Sequence, residues 1–200
     1  MKSYIARAVL TVVITMAAAC GDTSPAPTGL AATRAPAQSA ASAADRNADK
    51  VAFGFNGTAS GFPTGEVFLT GGGNYDISSA SNVVGQETRA VSNGGFRCLA
   101  GVEQGLLTHC ATGEGVRWDT AQLLASTPFK CTATDAVKTA VTGEKRVVLL
   151  ADFYRAGDGN DESFTAPMIV SETDLAPNIP GEQNIWVQGV GCGTAVVNFN

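Results

Sequence analysis

The stretch that most narrows the folds open to this chain runs from Arg146 to Val170, and it reads as a long β-hairpin. Its first arm, Val147 to Tyr154, is apolar on both faces except at Asp152, the pattern of a strand buried between two layers. The turn, Arg155-Ala156-Gly157-Asp158-Gly159-Asn160-Asp161-Glu162, is dense in residues that tolerate positive φ or bond their own backbone. In the second arm Phe164, Ala166, Met168 and Val170 face one way and Thr165, Pro167 and Ile169 the other. Pro167 lacks an N–H, which places this arm at a sheet edge or a bulge.

The rest of the chain beyond Val51 keeps a compatible rhythm. Short apolar runs separated by Gly, Asn and Asp recur about every ten residues: Val51 to Phe55, Glu66 to Thr70, Tyr75 to Ser79, Glu87 to Val91, Phe96 to Ala100 and Leu106 to Cys110. Gly115 to Trp118, Phe129 to Thr132, Asn184 to Val190 and Thr194 to Phe199 continue it. The spacing predicts an all-β domain over residues 51–200, an antiparallel sandwich or jelly roll with at most one or two short helices. Gly71-Gly72-Gly73 reads as a turn, since it lacks the spacing of a phosphate-binding loop. One helical segment is expected at Thr120 to Ala125, where Asp119 stands three residues before Gln122 and Pro128 follows. Asp135 to Thr142 fits a helical face and a strand alternation alike, and is read as strand or loop.

The N-terminus has a different character. Lys2 and Arg7 precede an apolar run, Ala8 to Met16, too short to span a bilayer, and Ala17-Ala18-Ala19 stands directly before Cys20. That order resembles a bacterial lipoprotein signal over about a tenth of the chain. The resemblance implies cleavage after residue 19, lipidation of Cys20, and an address on the periplasmic or cell-surface face of the envelope. The far segment, Asn184 to Gly193, is similar in wording to the ends of uncharacterised exported bacterial proteins, a resemblance that names no functional residue. Between signal and domain, residues 21–50 hold 10 Ala, 3 Pro, 3 Ser and 3 Thr with Leu30 the only large aliphatic. Too little apolar area is available there to offset ordering entropy, so a disordered tether is expected.

Without the signal the chain keeps 11 of its 13 basic residues and all 18 acidic ones, a formal charge of −7. An acidic surface argues against nucleic acid and against electrostatic attachment to anionic lipid. The membrane contact would be the lipid alone. A protein or glycan ligand stays unspecified.

Four cysteines remain after Cys20, namely Cys98, Cys110, Cys131 and Cys192, an even number suited to two disulfides in an exported chain. Cys98 and Cys110 flank the turn Gly101 to Gly105 and are expected to pair, leaving Cys131 with Cys192. No Cys-x-x-Cys is present, which argues against zinc. His109, the only histidine, neighbours Cys110 without a Gly-x-Ser-x-Gly elbow anywhere, so no histidine-based catalytic set emerges. Asp158, Asn160 and Glu162 begin like a Ca²⁺ loop, but Ser163 and Ile169 stand where an EF-hand has Gly and its bidentate Glu. The expectation is a plain turn and no cofactor, with Ca²⁺ as the alternative. A glycosidase needs two facing carboxylates, for which Asp119, Asp152 and Asp161 are candidates. Trp118 and Trp186 are the possible sugar platforms, with the core as the competing place for both. The composite expectation is a noncatalytic, lipid-anchored binding or structural protein, with an extracytoplasmic hydrolase as the alternative.

Overall fold

The computed structural model describes residues 50–103, 110–154 and 163–200. They form an all-β fold with a single 3₁₀ turn, Ile77–Ser79, capped by Asp76. The strands are β1 (Lys50–Gly61), β2 (Glu66–Asp76), β3 (Ala90–Ala100), β4 (Arg117–Leu123), β5 (Ser126–Phe129), β6 (Lys138–Val141), β7 (Arg146–Tyr154), β8 (Ser163–Ser171), β9 (Ile185–Val187), β10 (Gly191–Gly193) and β11 (Ala195–Phe199). Nine of them make one antiparallel sheet in the order β10-β9-β8-β7-β4-β3-β2-β1-β11. β10 also pairs with β1, so the sheet closes on itself around one core. Apart from the β5–β6 hairpin and the step from β10 to β11, which both lie along β1, each strand lies beside its neighbour in sequence.

Alternation decides which side chains fill the interior. Val51, Phe53 and Phe55 of β1 meet Val67, Leu69 and Tyr75 of β2, Phe96 and Cys98 of β3, Trp118 of β4 and Leu149, Ala151 and Phe153 of β7, all buried. Between them stand exposed polar residues such as Lys50, Asn56, Ser60, Asn74, Asn93 and Arg97. Apolar inside and polar outside is the reverse of a membrane-spanning barrel.

Two expectations are corrected here. Gly71-Gly72-Gly73 is not a turn but the middle of β2, pairing with Ser92, Asn93 and Gly94 of β3. A Cβ on Gly71 would lie 2.5 Å from the indole Cζ2 of Trp118, so glycine at this point makes room for the largest core side chain. Runs expected as separate strands on either side therefore fuse, Glu66 to Thr70 with Tyr75 and Asp76, while Ile77–Ser79 leaves the sheet. Thr120 to Ala125 is likewise not helical. β4 extends into it as far as Leu123, pairing with β7 across a bulge between Thr120 and Gln122 that carries Leu123 into the core. The Gln122 side chain, expected in a helix cap, instead donates from Nε2 to the Ser81 and Val83 carbonyls at 2.8 and 3.0 Å. The ladder with β7 outweighs a local capping signal worth about 1 kcal/mol.

The hairpin runs as expected from Arg146 opposite Ser171 to Tyr154 opposite Ser163. Its first arm is apolar on both faces because a second layer lies outside it. Val147 and Leu149 face the main core, whereas Val148 joins Ile169 and Trp186 under the β5–β6 hairpin, with Phe129, Ala140, Leu175 and Ala176. Pro167 sits where the β9 pairing ends: its carbonyl accepts from the Gln188 N–H at 3.0 Å, and β9 covers only Met168 to Val170. The missing N–H therefore costs no ladder bond.

Tyr75 joins this fold to a pH response. Its ring is buried and its hydroxyl donates to the Gly143 carbonyl at 2.6 Å. Burial, and after it the negative charge of Glu144, push the phenol well above its usual range. Because the unfolded chain ionises first, the contribution is complete below about pH 10 and is lost above it, at a slope of at most about 1.4 kcal/mol per pH unit. Urea midpoints measured from pH 8 to 11 should fall at the alkaline end, and Tyr75→Phe should flatten that fall while lowering stability near neutrality.

Candidate functional site

Both expected bridges are present. Cys98 and Cys110 are joined with Cα atoms 6.2 Å apart, and Cys131 and Cys192 with Cα atoms 4.9 Å apart. Disulfides persist in oxidising compartments, which gives the domain an extracytoplasmic setting. Cys20, His109 and the proposed calcium residues Asp158, Asn160 and Glu162 lie outside the described residues, as does Asp161. Among the described residues no group of three His, Cys, Asp or Glu side chains could hold a metal ion.

Two of the three candidate acids do come together. Asp119 of β4 and Asp152 of β7 are direct cross-strand partners, next to the pair Arg117 and Tyr154. Arg117 lies 3.5 Å from the Asp119 carboxylate and stacks over the Tyr154 ring at 4.7 Å. The Tyr154 phenol is raised first by its hydrogen bond to Asp152, then by the charge of that carboxylate. Both acids are half-buried on the face of the sheet away from Trp118 and Phe153, the Asp152 Oδ1 is buried without a hydrogen-bond partner among the described residues, and neither acid lines the groove described below. A glycosidase places its acids on either side of the scissile bond; here both rise side by side from adjacent strands of one sheet face.

Trp118 and Trp186 are both core residues. Trp118 is fully buried, its Nε1 donating to the Thr70 carbonyl at 3.0 Å. Trp186 packs edge-on against Phe129 with ring centroids 6.0 Å apart, and its Nε1 donates to the Lys130 carbonyl at 2.9 Å. One edge of Trp186 nevertheless reaches a groove of about 530 Å³, a volume typical of small-molecule sites.

Four separate stretches build this groove. The β1–β2 turn supplies Phe62 and Pro63, joined by a cis peptide bond. The β5–β6 hairpin supplies Pro128, Phe129 and Lys130 from one arm and Val137 from the other, and the β9–β10 turn supplies Gln188 and Gly189. The turns are tied together where the Phe62 N–H donates to the Val190 carbonyl at 2.9 Å. Three features hold the hairpin in place. The Cys131–Cys192 bridge fixes its outgoing arm to β10, Asn82 accepts from the Ser126 N–H at 3.2 Å, and Thr142 Oγ1 donates to the Leu124 carbonyl at 2.6 Å. The lining is apolar and aromatic with one charged residue, Lys130. None of these residues except Trp186 stands out in the sequence, because each has an ordinary local reason to be where it is.

Of the other cavities, one of about 550 Å³ is also largely apolar, with Phe68, Leu99 and Val116 in its lining and Arg97 its one charged residue. A second, of about 660 Å³, lies along the outer ends of β1, β2 and β3 around Arg89, whose guanidinium is 3.1 Å from the Asp76 carboxylate. Another, of about 360 Å³, flanks the Cys131–Cys192 bridge with Thr58, Ser60 and Gln183. No family model, curated protein or solved structure matches the chain.

Proposed function

We propose that this chain is an exported, lipid-anchored protein of the bacterial cell envelope that binds a small, largely apolar ligand in the groove between the β5–β6 hairpin and the turns at the end of the barrel. The groove is the observation that carries the reading. It is preformed, its walls are cross-linked by a disulfide, and a few polar groups stand at its rim, the usual composition of a small-molecule site. The signal-like leader and Cys20 support the anchor, and the acidic mature chain supports attachment through lipid rather than through charge. The protein is noncatalytic on this reading.

The anchor is tested by detergent phase partitioning. The processed protein should enter the detergent phase, and Cys20→Ser should release it to the aqueous phase or leave it unprocessed; equal aqueous partitioning of both would remove the lipid. The groove is tested with Nile red, an uncharged apolar dye. Saturable one-to-one binding is expected for the full chain, and Val137→Asp should weaken it about tenfold or more. Val137 is 63% exposed, so this change leaves the core intact while placing a charge in the groove wall. Unchanged binding in the variant would place the dye elsewhere.

A further inference from the structure

Resting on that reading, we infer that the groove selects an amphipathic carboxylate, with its apolar body on Trp186, Phe129 and Pro63 and its headgroup at Lys130. Lys130 is the only charged residue of the lining, is partly exposed, and makes no ion pair among the described residues. That sets it apart from Arg89, Arg117 and Lys145, each of which lies 3.0 to 3.5 Å from a carboxylate. Lys50, Arg97, Lys138 and Arg146 also make no ion pair among the described residues, so what marks Lys130 is its place as the one charged side chain on the groove wall.

The acidic surface opposes an approaching anion only within about 8–10 Å at physiological salt, so the nearest charge decides what the groove accepts. Gln188 also lines the groove and is exposed. Its backbone N–H is engaged by Pro167, and its side-chain amide makes no hydrogen bond among the described residues, which leaves a neutral donor in the same lining as the cation. A compact ammonium with one amide donor suits a singly charged carboxylate better than a phosphate, which calls for several donors. Phe129 and Trp186, already packed edge to face, present a rigid apolar floor that loses little entropy when a chain or ring lies on it.

The test uses the full chain carrying Cys20→Ser, so that neither lipid nor detergent competes, titrated with decanoate, 1-decanol and decyltrimethylammonium below their aggregation limits. The chain has two tryptophans and Trp118 is fully buried, so a fluorescence change reports on Trp186; calorimetry supplies the stoichiometry. Decanoate should bind at least tenfold more tightly than decanol, and the ammonium most weakly. Lys130→Gln should erase the preference and Lys130→Arg should keep it. In the unsubstituted groove, raising the salt should weaken decanoate relative to decanol, a readout that does not depend on either variant folding. Equal affinities for the three headgroups, a preference that survives Lys130→Gln, or the absence of a salt effect would overturn the headgroup assignment and leave the apolar groove standing. No saturable response to any of the three would overturn the groove as well.

Discussion

Gly94→Ala should destabilise the domain by about 3 kcal/mol or more, whereas Gly54→Ala, a similarly conservative change in the same sheet, should stay within about 0.5 kcal/mol. The difference lies in what the added methyl group meets. On Gly94 it would overlap the Thr70 carbonyl oxygen and come within 2.6 Å of the Gly71 Cα, both backbone atoms of β2. Neither can retreat without breaking the β2–β3 ladder, which pairs Gly71 with Gly94. On Gly54 the nearest atom is the Gly71 carbonyl oxygen at 3.9 Å, an ordinary contact. Denaturant midpoints of the two variants at constant m-value give the comparison directly. Equal, small losses would mean that β2 and β3 are not in the tight contact described here.

That same crossing shows where sequence reasoning reached its limit. Gly71-Gly72-Gly73 looks like a turn because glycine in a turn and glycine under a neighbouring backbone are indistinguishable in one dimension. What separates them is Trp118, 47 positions after Gly71, whose indole occupies the space a side chain there would need. The helix expected from Thr120 to Ala125 is absent for a related reason. Its cap signal was real as chemistry, but β7 offers that segment a ladder from Arg117 to Leu123 and β3 offers another from Arg117 to Asp119.

Period-two alternation, by contrast, survived because it records burial itself. The doubly apolar arm Val147 to Leu150 implied a layer on each side, and the β5–β6 hairpin provides the outer one. The carboxylates Asp119 and Asp152 were nameable from the sequence, but their pairing depends on the β4–β7 register, which a bulge resets. The groove was not legible at all. It is assembled from residues 62–63, 128–130, 137 and 186–189, and no periodicity links those four stretches.

Removing the Cys131–Cys192 bridge with Cys131→Ala and Cys192→Ala should cost about 4 kcal/mol, because the open chain regains the entropy of a 61-residue loop. In a domain of about 150 residues that lowers the melting temperature by about 8–16 °C. The Cys98–Cys110 bridge closes a 12-residue interval and constrains the unfolded chain less, by about 1 kcal/mol in the same model. The larger bridge also has a local task. It joins the segment after β5 to β10, and with Trp186 bonded to the Lys130 carbonyl it sets the distance between the two walls of the groove. At a temperature where the double variant is still folded, Nile red affinity should therefore drop by at least as much as in Val137→Asp, while the β1–β3 side of the sheet keeps its hydrogen-exchange protection. A variant that loses stability yet binds the dye with full affinity would show that the hairpin is positioned by the Phe129, Ala140, Val148 and Ile169 packing alone. A variant that keeps its stability would show that the unfolded chain is already compact across those 61 residues.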